Sequence, residues 1–169
     1  RFTNEKWERV GAADGISTEG PVTGYVDRTG ALWISAANGL FRRPGADAGP
    51  FQLIEPTTDP LRTLAFSEDQ NGRVWAADIG VGFRALGPGP GVRGRDAARG
   101  YRLLHDRVGH LWVATIGQGL WRVDQPDVAK SAVSVQRATV LTGLSSDAVR
   151  TVFETGKPRG MHVLLSGHV

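Results

Sequence analysis

Four histidines, scattered carboxylates and one glycine-rich stretch are the residues whose chemistry could be catalytic, and their spacing matches none of the common devices. His105, His110, His162 and His168 include no pair four apart with a glutamate between them, so the zinc-hydrolase helix is missing. No G-x-S-x-G turn is present, and nothing sets a serine beside a histidine and an aspartate. Glu68 and Asp69 are adjacent carboxylates, but neighbours on a strand point to opposite faces and would not share one substrate. Asp-x-Asp ladders of the calcium-loop type are absent. The stretch from Leu86 to Gly100 is rich in glycine and proline, yet lacks the Gly-Lys-[Ser/Thr] ending of a phosphate loop. It reads as a flexible connector that replaces an outer strand. With no cysteine, disulfides and thiolate metal sites are excluded. No catalytic residue, metal or cofactor is expected.

What does recur is a pattern. Asp27-x-x-Gly30-x-Leu32-Trp33, Asp69-x-x-Gly72-x-Val74-Trp75 and Asp106-x-x-Gly109-x-Leu111-Trp112 are three copies of D-x-x-G-x-[LV]-W. Each is followed by a glycine and a large apolar residue (Gly39-Leu40, Gly82-Phe83, Gly119-Leu120), then by Arg42, Arg84 or Arg122. A second element, Asp14-Gly15-Ile16-Ser17 and Thr142-Gly143-Leu144-Ser145, precedes an apolar strand in two places. A self-similar period of this length marks a repeat architecture.

Each copy predicts a small antiparallel sheet. In the first, strands are expected at Val22 to Val26, Ala31 to Ser35, Leu40 to Arg43 and Phe51 to Ile54, with Leu32 and Ile34 facing away from Trp33. In the third they fall at Arg102 to His105, Leu111 to Thr115, Leu120 to Val123 and Ser134 to Thr139. Asp can bond its own turn there, and Gly accepts a positive φ. Four strands in about 40–45 residues is the pattern of a propeller blade. A β-sandwich also has short strands and frequent turns, but would not repeat one motif in register. The fold class is therefore all-β: an incomplete β-propeller of about three four-stranded antiparallel blades, with partial blades at both ends. Residues 1–10 (with a strand from Lys6 to Val10) end a preceding blade, 11–56 form blade 1, and 57–100 blade 2 with its Gly/Pro-rich connector. Blade 3 spans 101–140, and 141–169 begin a degenerate or truncated blade 4. The recurrent Trp is expected to pack between blades rather than to form a cation cage, and the recurrent Asp to make a turn rather than bind metal.

Composition agrees with a compact, non-fibrous chain. The 169 residues are 40% hydrophobic, without any run near the ~20 apolar residues of a membrane helix. Net charge is +3, and among 20 basic residues only Arg42 and Arg43 are adjacent, so neither nucleic acid nor a membrane surface is an expected partner. The chain opens at Arg1 without a leader, which places any targeting segment outside it.

The repeat resembles the two-component regulator propeller family, whose pattern runs D-x-x-G-x-[LI]-W-[IV]-[GA]-T-x-x-G-L-x-R. The match is best at Leu111-Trp112-Val113-Ala114-Thr115 with Gly119-Leu120-Trp121-Arg122, and weakest at Ala76-Ala77-Asp78 with Gly82-Phe83. The resemblance implies the periplasmic, ligand-sensing region of a large bacterial sensor. Its output, a histidine kinase of a phosphorelay or a diguanylate cyclase, would lie elsewhere in the parent chain. The implied partners are the remaining blades of that propeller.

Propeller ligands sit where loops enter the innermost strands and join the second and third. That places Glu19, Asn38, Asp59, Arg62, Asp78, Tyr101, Gln118 and Asp147 at a shallow polar mouth, suited to a polar small molecule or oligosaccharide with Tyr101 as a stacking surface. Two other classes stay open: a lyase or glycan-active propeller enzyme, marked by a His near a Glu on this face, and an architectural docking propeller, marked by an apolar patch. His105 and His110 fall on the opposite, turn side.

Overall fold

The computed structural model describes residues 2–3, 5–7, 9–17, 19, 23–45, 48–56, 63–78, 82–86, 91–93, 99–124, 126, 135–156 and 160–165. They divide into two compact units, Arg1–Arg62 and Thr63–Val169. Apart from two single-turn 3-10 segments, every regular element among the described residues is a strand.

The first unit opens with a hairpin of β1 (Phe2–Thr3) and β2 (Lys6–Trp7), followed by a 3-10 turn at Ala12–Asp14. The strand expected from Lys6 to Val10 thus stops at Trp7. Val10 still packs against the core, and Gly11 begins the turn, where its carbonyl takes the Asp14 and Ile16 amides. A four-stranded sheet follows in sequence order: β3 (Thr23–Val26), β4 (Leu32–Ala36), β5 (Gly39–Arg43) and β6 (Gln52–Pro56). Leu32, Ile34 and Ala36 share one face of β4 and join Ile16, Phe41 and Phe51 in its core, while Trp33 projects from the other face.

The second unit repeats that meander. Its first sheet is β7 (Thr63–Glu68), β8 (Val74–Asp78), β9 (Gly82–Ala85) and β10 (Gly91–Arg93). Its second is β11 (Gly100–His105), β12 (Leu111–Thr115), β13 (Leu120–Val123) and β14 (Val135–Ala138). After a 3-10 turn at Val140–Thr142 come two paired strands, β15 (Val149–Thr155) and β16 (Gly160–Leu165). β10 corrects the sequence reading of the Gly/Pro stretch as a replacement for the outer strand. Gly91, Val92 and Arg93 pair with Arg84, Phe83 and Gly82. Ladder bonds come from the backbone, so composition alone does not reveal them.

Sheets in this unit stack through their faces, and the first strand of each is the neighbour of the next: β7 beside β11, and β11 beside β15. Leu111, Val113, Leu103, Trp121 and Val123 from one sheet meet Trp75, Ala77, Phe83, Ala65 and Ala85 from the sheet before it. On the opposite face of β12, Trp112 and Ala114 meet Val149, Val152, Met161 and Val163. Burying Trp75 and Trp121, at ~150–250 Å² each, supplies up to about 4–6 kcal/mol apiece of transfer free energy. These four-stranded antiparallel sheets, stacked face to face, are the blades of a β-propeller.

Candidate functional site

The two ends of each sheet are built differently. At one end lies the D-x-x-G turn. Asp27 Oδ1 accepts the amides of Thr29 (2.9 Å) and Ala31 (3.0 Å), and Gly30 takes φ 83°. Its other oxygen accepts the Trp33 indole N–H at 2.8 Å. The same set recurs at Asp69, whose Oδ1 accepts Asn71 and Arg73 and whose Oδ2 accepts Trp75 at 3.0 Å. It recurs again at Asp106 with Val108, His110 and Trp112 (2.8 Å), where Gly72 and Gly109 take φ 82° and 96°. Burial alone would raise these three carboxyls. The indole, turn-amide and side-chain donors outweigh it and hold each below the ordinary carboxylate range. Both oxygens of each of these carboxylates face donors from the protein.

His105 sits at the same end, against Trp75 (ring centroids 5.7 Å apart). The Ser67 hydroxyl accepts the His105 amide at 3.0 Å and lies 3.1 Å from Nδ1. Nε2 is buried with no hydrogen-bond partner among the described residues. Burial pushes the histidine down to about 4, against the pull of Asp69 and Asp106. His110 Nδ1 meets Asp106 Oδ2 at 2.9 Å.

At the other end lie the loops that enter the first strands and the turns between second and third strands. Asn38 ties two such loops: its Oδ1 accepts the Ser17 amide and its Nδ2 donates to the Gly15 carbonyl. Gln118 stands at the equivalent place, one residue before the turn glycine, and its Oε1 accepts the Arg99 amide at 2.7 Å. Asp147 accepts the Val140 amide on Oδ1, while its carbonyl takes Gly117 and Gly119. Glu19 is exposed, its amide bonded to Ser17 Oγ. Asp59 and Arg62 lie outside the described residues. Asp78 is buried: Thr63 donates to one carboxylate oxygen and Arg84 Nε to the other at 2.8 Å.

Tyr101 is half-buried and lines a cleft of about 300 Å³ with Thr115, Ile116, Ala148, Val149 and Arg150. The Arg102 guanidinium lies 4.5 Å from the Tyr101 ring centroid. An Ile116–Ala148 bridge closes the floor between the two sheets. Sequence reasoning reached Tyr101 but missed Arg84, Ile116 and Arg150. The missed signal for Arg84 was spacing: Arg42 and Arg122 stand three residues after their glycines, opposite Trp33 and Trp112, whereas Arg84 stands two after Gly82 and so emerges on the other face.

Blades of this kind define a propeller segment that offers loops at one end and hydrogen-bonded turns at the other. Solved structures share the fold. The extracellular domain of the putative hybrid two-component system BT3049 from B. thetaiotaomicron is 20% identical with a TM-score of 0.62, over 83% of this chain and 20% of that one. That of BT4673, a putative hybrid two-component system of the same organism, is 21% identical with a TM-score of 0.64, over 89% and 23%. PorZ, a surface component of the type-IX secretion system of Porphyromonas gingivalis, is 16% identical with a TM-score of 0.65, over 88% and 25%. The chain thus spans about a fifth to a quarter of the length of each. No family model and no curated protein matches it.

Proposed function

We propose that the chain is part of the extracytoplasmic ligand-sensing propeller of a bacterial signal-transduction protein. It is a non-catalytic region whose output module, of the histidine kinase or another two-component type, lies elsewhere in the parent. The observation that carries this reading is the fold shared with the extracellular domains of two putative hybrid two-component systems, over more than four-fifths of the chain. The loop end of the blades, with its cleft at Tyr101, is the surface offered to a polar small molecule or oligosaccharide. The remaining blades of the parent are its partners. Among the described residues no helix is long and apolar enough to cross a membrane.

The absence of cysteine in this chain allows a direct test. Leu141 is 96% exposed, and a Leu141→Cys parent protein should react with a membrane-impermeant maleimide in intact cells, over the background of the unsubstituted parent. Labelling that appears only after lysis would overturn the extracytoplasmic placement. The likeness to PorZ favours a second reading, an architectural surface propeller without a signalling output. Loss of a transcriptional response to the ligand on deleting the blades supports the sensor. An unchanged response with loss of surface assembly supports the scaffold.

A further inference from the structure

Two of the sheets are half-blades. Among the described residues β15 and β16 pair only with each other, and so do β1 and β2. The first pair is the inner half of a blade. Its register step, from Val149 to Thr151 against Leu165 and Leu164, repeats that from Gly100 to Arg102 against Thr115 and Ala114. Met161 and His162 therefore stand where Leu111 and Trp112 do. The second pair is an outer half, because the turn after β2 repeats the turn after β14 residue for residue. In each, a 3-10 segment ends at a positive-φ glycine, Gly15 or Gly143, whose amide bonds back to the Ala12 or Val140 carbonyl. A side-chain oxygen of Asp14 or Thr142 accepts the amide of Gly11 or Thr139. The same count back from each glycine puts Trp7 at the position of Val135, and its cross-strand partner Phe2 at that of Val123.

The cover over Trp112 stops where such an outer half would begin. One sheet earlier, Trp75 is sealed by a following sheet that includes β13, with Trp121 and Val123. Trp112 meets β15 and β16 and stays half-buried. The cleft beside it, about 280 Å³, has Leu120, Arg122, Gln136, Ala138 and Thr142 among its walls. Val123 faces the sheet before its own, and cross-strand partners share a face. A residue at the Val123 or Val135 register of a completed last blade therefore faces this cleft. Trp7 holds that register on β2 and is 83% exposed.

We propose that β15 and β16 of one chain and β1 and β2 of a second copy join into one four-stranded blade, with β1 antiparallel to β16 and Trp7 seated beside Trp112. A strand edge offers a row of backbone groups in fixed register, and an added strand satisfies them. The joint continues an interface the chain already makes, the packing of Trp112 on β15 and β16. The second copy is the occupant because the chain carries both complementary halves. Each copy donates an outer half and receives one, so the contact is head-to-tail and copies add in series. Nothing in this requires the chain to be a sensor, and the maleimide experiment judges that placement separately.

The chain has no cysteine, so two single variants, Gly160→Cys and Thr3→Cys, can be mixed and treated with a short bifunctional thiol crosslinker. Register carried over from β12 and β13 sets these positions opposite each other, one step beyond the Leu111–Val123 pair. A Cβ at Gly160 has no neighbour closer than 3.5 Å, so the substitution is accommodated. The mixture should give a crosslinked heterodimer that neither variant gives alone, while Leu141→Cys mixed with Thr3→Cys should give none. By sedimentation equilibrium, Trp7→Ser should weaken self-association of the 169-residue chain about tenfold or more, the effect of losing an aromatic anchor. Gly160→Cys linking to itself in place of the mixture means that two β16 edges pair, and overturns the head-to-tail joint. A mixture linked no better than the Leu141→Cys control, or an unsubstituted chain that stays monomeric at every concentration, overturns it too. A Trp7→Ser chain that associates as the unsubstituted chain does overturns the seat of Trp7 in the cleft.

Discussion

Asp69 illustrates how one side chain can serve two elements at once. Its carboxylate closes the turn after β7 and holds the indole of a Trp75 that is fully buried between two sheets. The D-x-x-G turn and the buried tryptophan are each legible in the sequence. Their bond is not, because a six-residue separation brings Asp to Trp only once the first and second strands have paired. Asp69→Ala leaves three donors without an acceptor. At ~1–3 kcal/mol for a buried orphan, partly offset at the exposed turn, the expected loss is about 3 kcal/mol by chemical denaturation. Asp27→Ala should cost less, since Trp33 is only half-buried. His105 sets a pH dependence beside it. Folded, it stays neutral until about 4, whereas unfolded histidine takes its proton near the ordinary ~6.5. The unfolded state therefore binds the extra proton first, and stability falls as pH drops from about 6.5 to 4. Asp27, Asp69 and Asp106, held below their ordinary range, add a further loss only as pH falls through about 4 and lower. Urea midpoints measured between pH 4.5 and 7 should fall toward acid, and His105→Phe should remove about one proton from that slope. An unaltered slope would mean that His105 is already protonated in the fold.

Strands bring the repeat's glycines and charges to fixed partners. Gly119 immediately precedes β13 with φ 76°, and a Cβ there would clash with the Ala138 carbonyl oxygen on the neighbouring β14. Gly119→Ala should cost about 2–5 kcal/mol, the sum of a strained φ and a backbone clash, and thermal denaturation reads it directly. The second sheet carries the repeat's strongest departure, and the departure is compensated. Asp78 replaces a small residue at the end of β8, and Arg84, displaced by one position, turns to meet it in the interior. Arg84→Leu alone strands a buried carboxylate and should cost about 3–5 kcal/mol, whereas Asp78→Leu combined with Arg84→Leu should recover most of that loss. A double-mutant cycle that shows additive losses would deny the pair. Hairpins built on D-x-x-G-x-[LV]-W in the first and third copies were readable to within two residues because turn chemistry and period-two alternation agree there. Two kinds of feature escaped. β10 is hidden by glycine and proline, since its pairing is made by backbone groups. The register shifts in β7, β11 and β15, at Leu64, Tyr101 and Arg150, follow from pairing against a partner strand, which no single segment encodes. Of the candidate polar residues, Tyr101 was legible as an aromatic in a loop-end position, whereas Arg150, which lines the same cleft, comes from the next sheet.

At the scale of the stacked sheets, what matters is which faces have neighbours. Trp75 is fully buried because the sheet that follows it brings four strands, including Trp121 on the third. Trp112 occupies the corresponding place in the next sheet but is covered by two strands, β15 and β16, and stays half-buried. A cleft of about 280 Å³ opens beside it, lined by Trp112, Leu120, Arg122, Gln136, Arg137, Ala138 and Thr142. Among the described residues β16 pairs with β15 alone, and the far face of this pair shows Phe153 and Leu164, 45% and 57% exposed. An unpaired strand edge beside an apolar face is a template for another strand, and in a repeat protein each face is stable only against a neighbour. The chain on its own should therefore associate with itself in a concentration-dependent way. Leu164→Lys places a charge on that face without touching Met161, Val163 or Leu165, which point to the interior side. Sedimentation velocity should show the weight-average mass of the parent chain rising with concentration and that of the Leu164→Lys chain staying near the monomer. If both chains sediment as monomers throughout, the open face is not sticky. Solvation of Phe153 and Leu164 would then be tolerated, and the need for further blades would have to be argued from Trp112 alone.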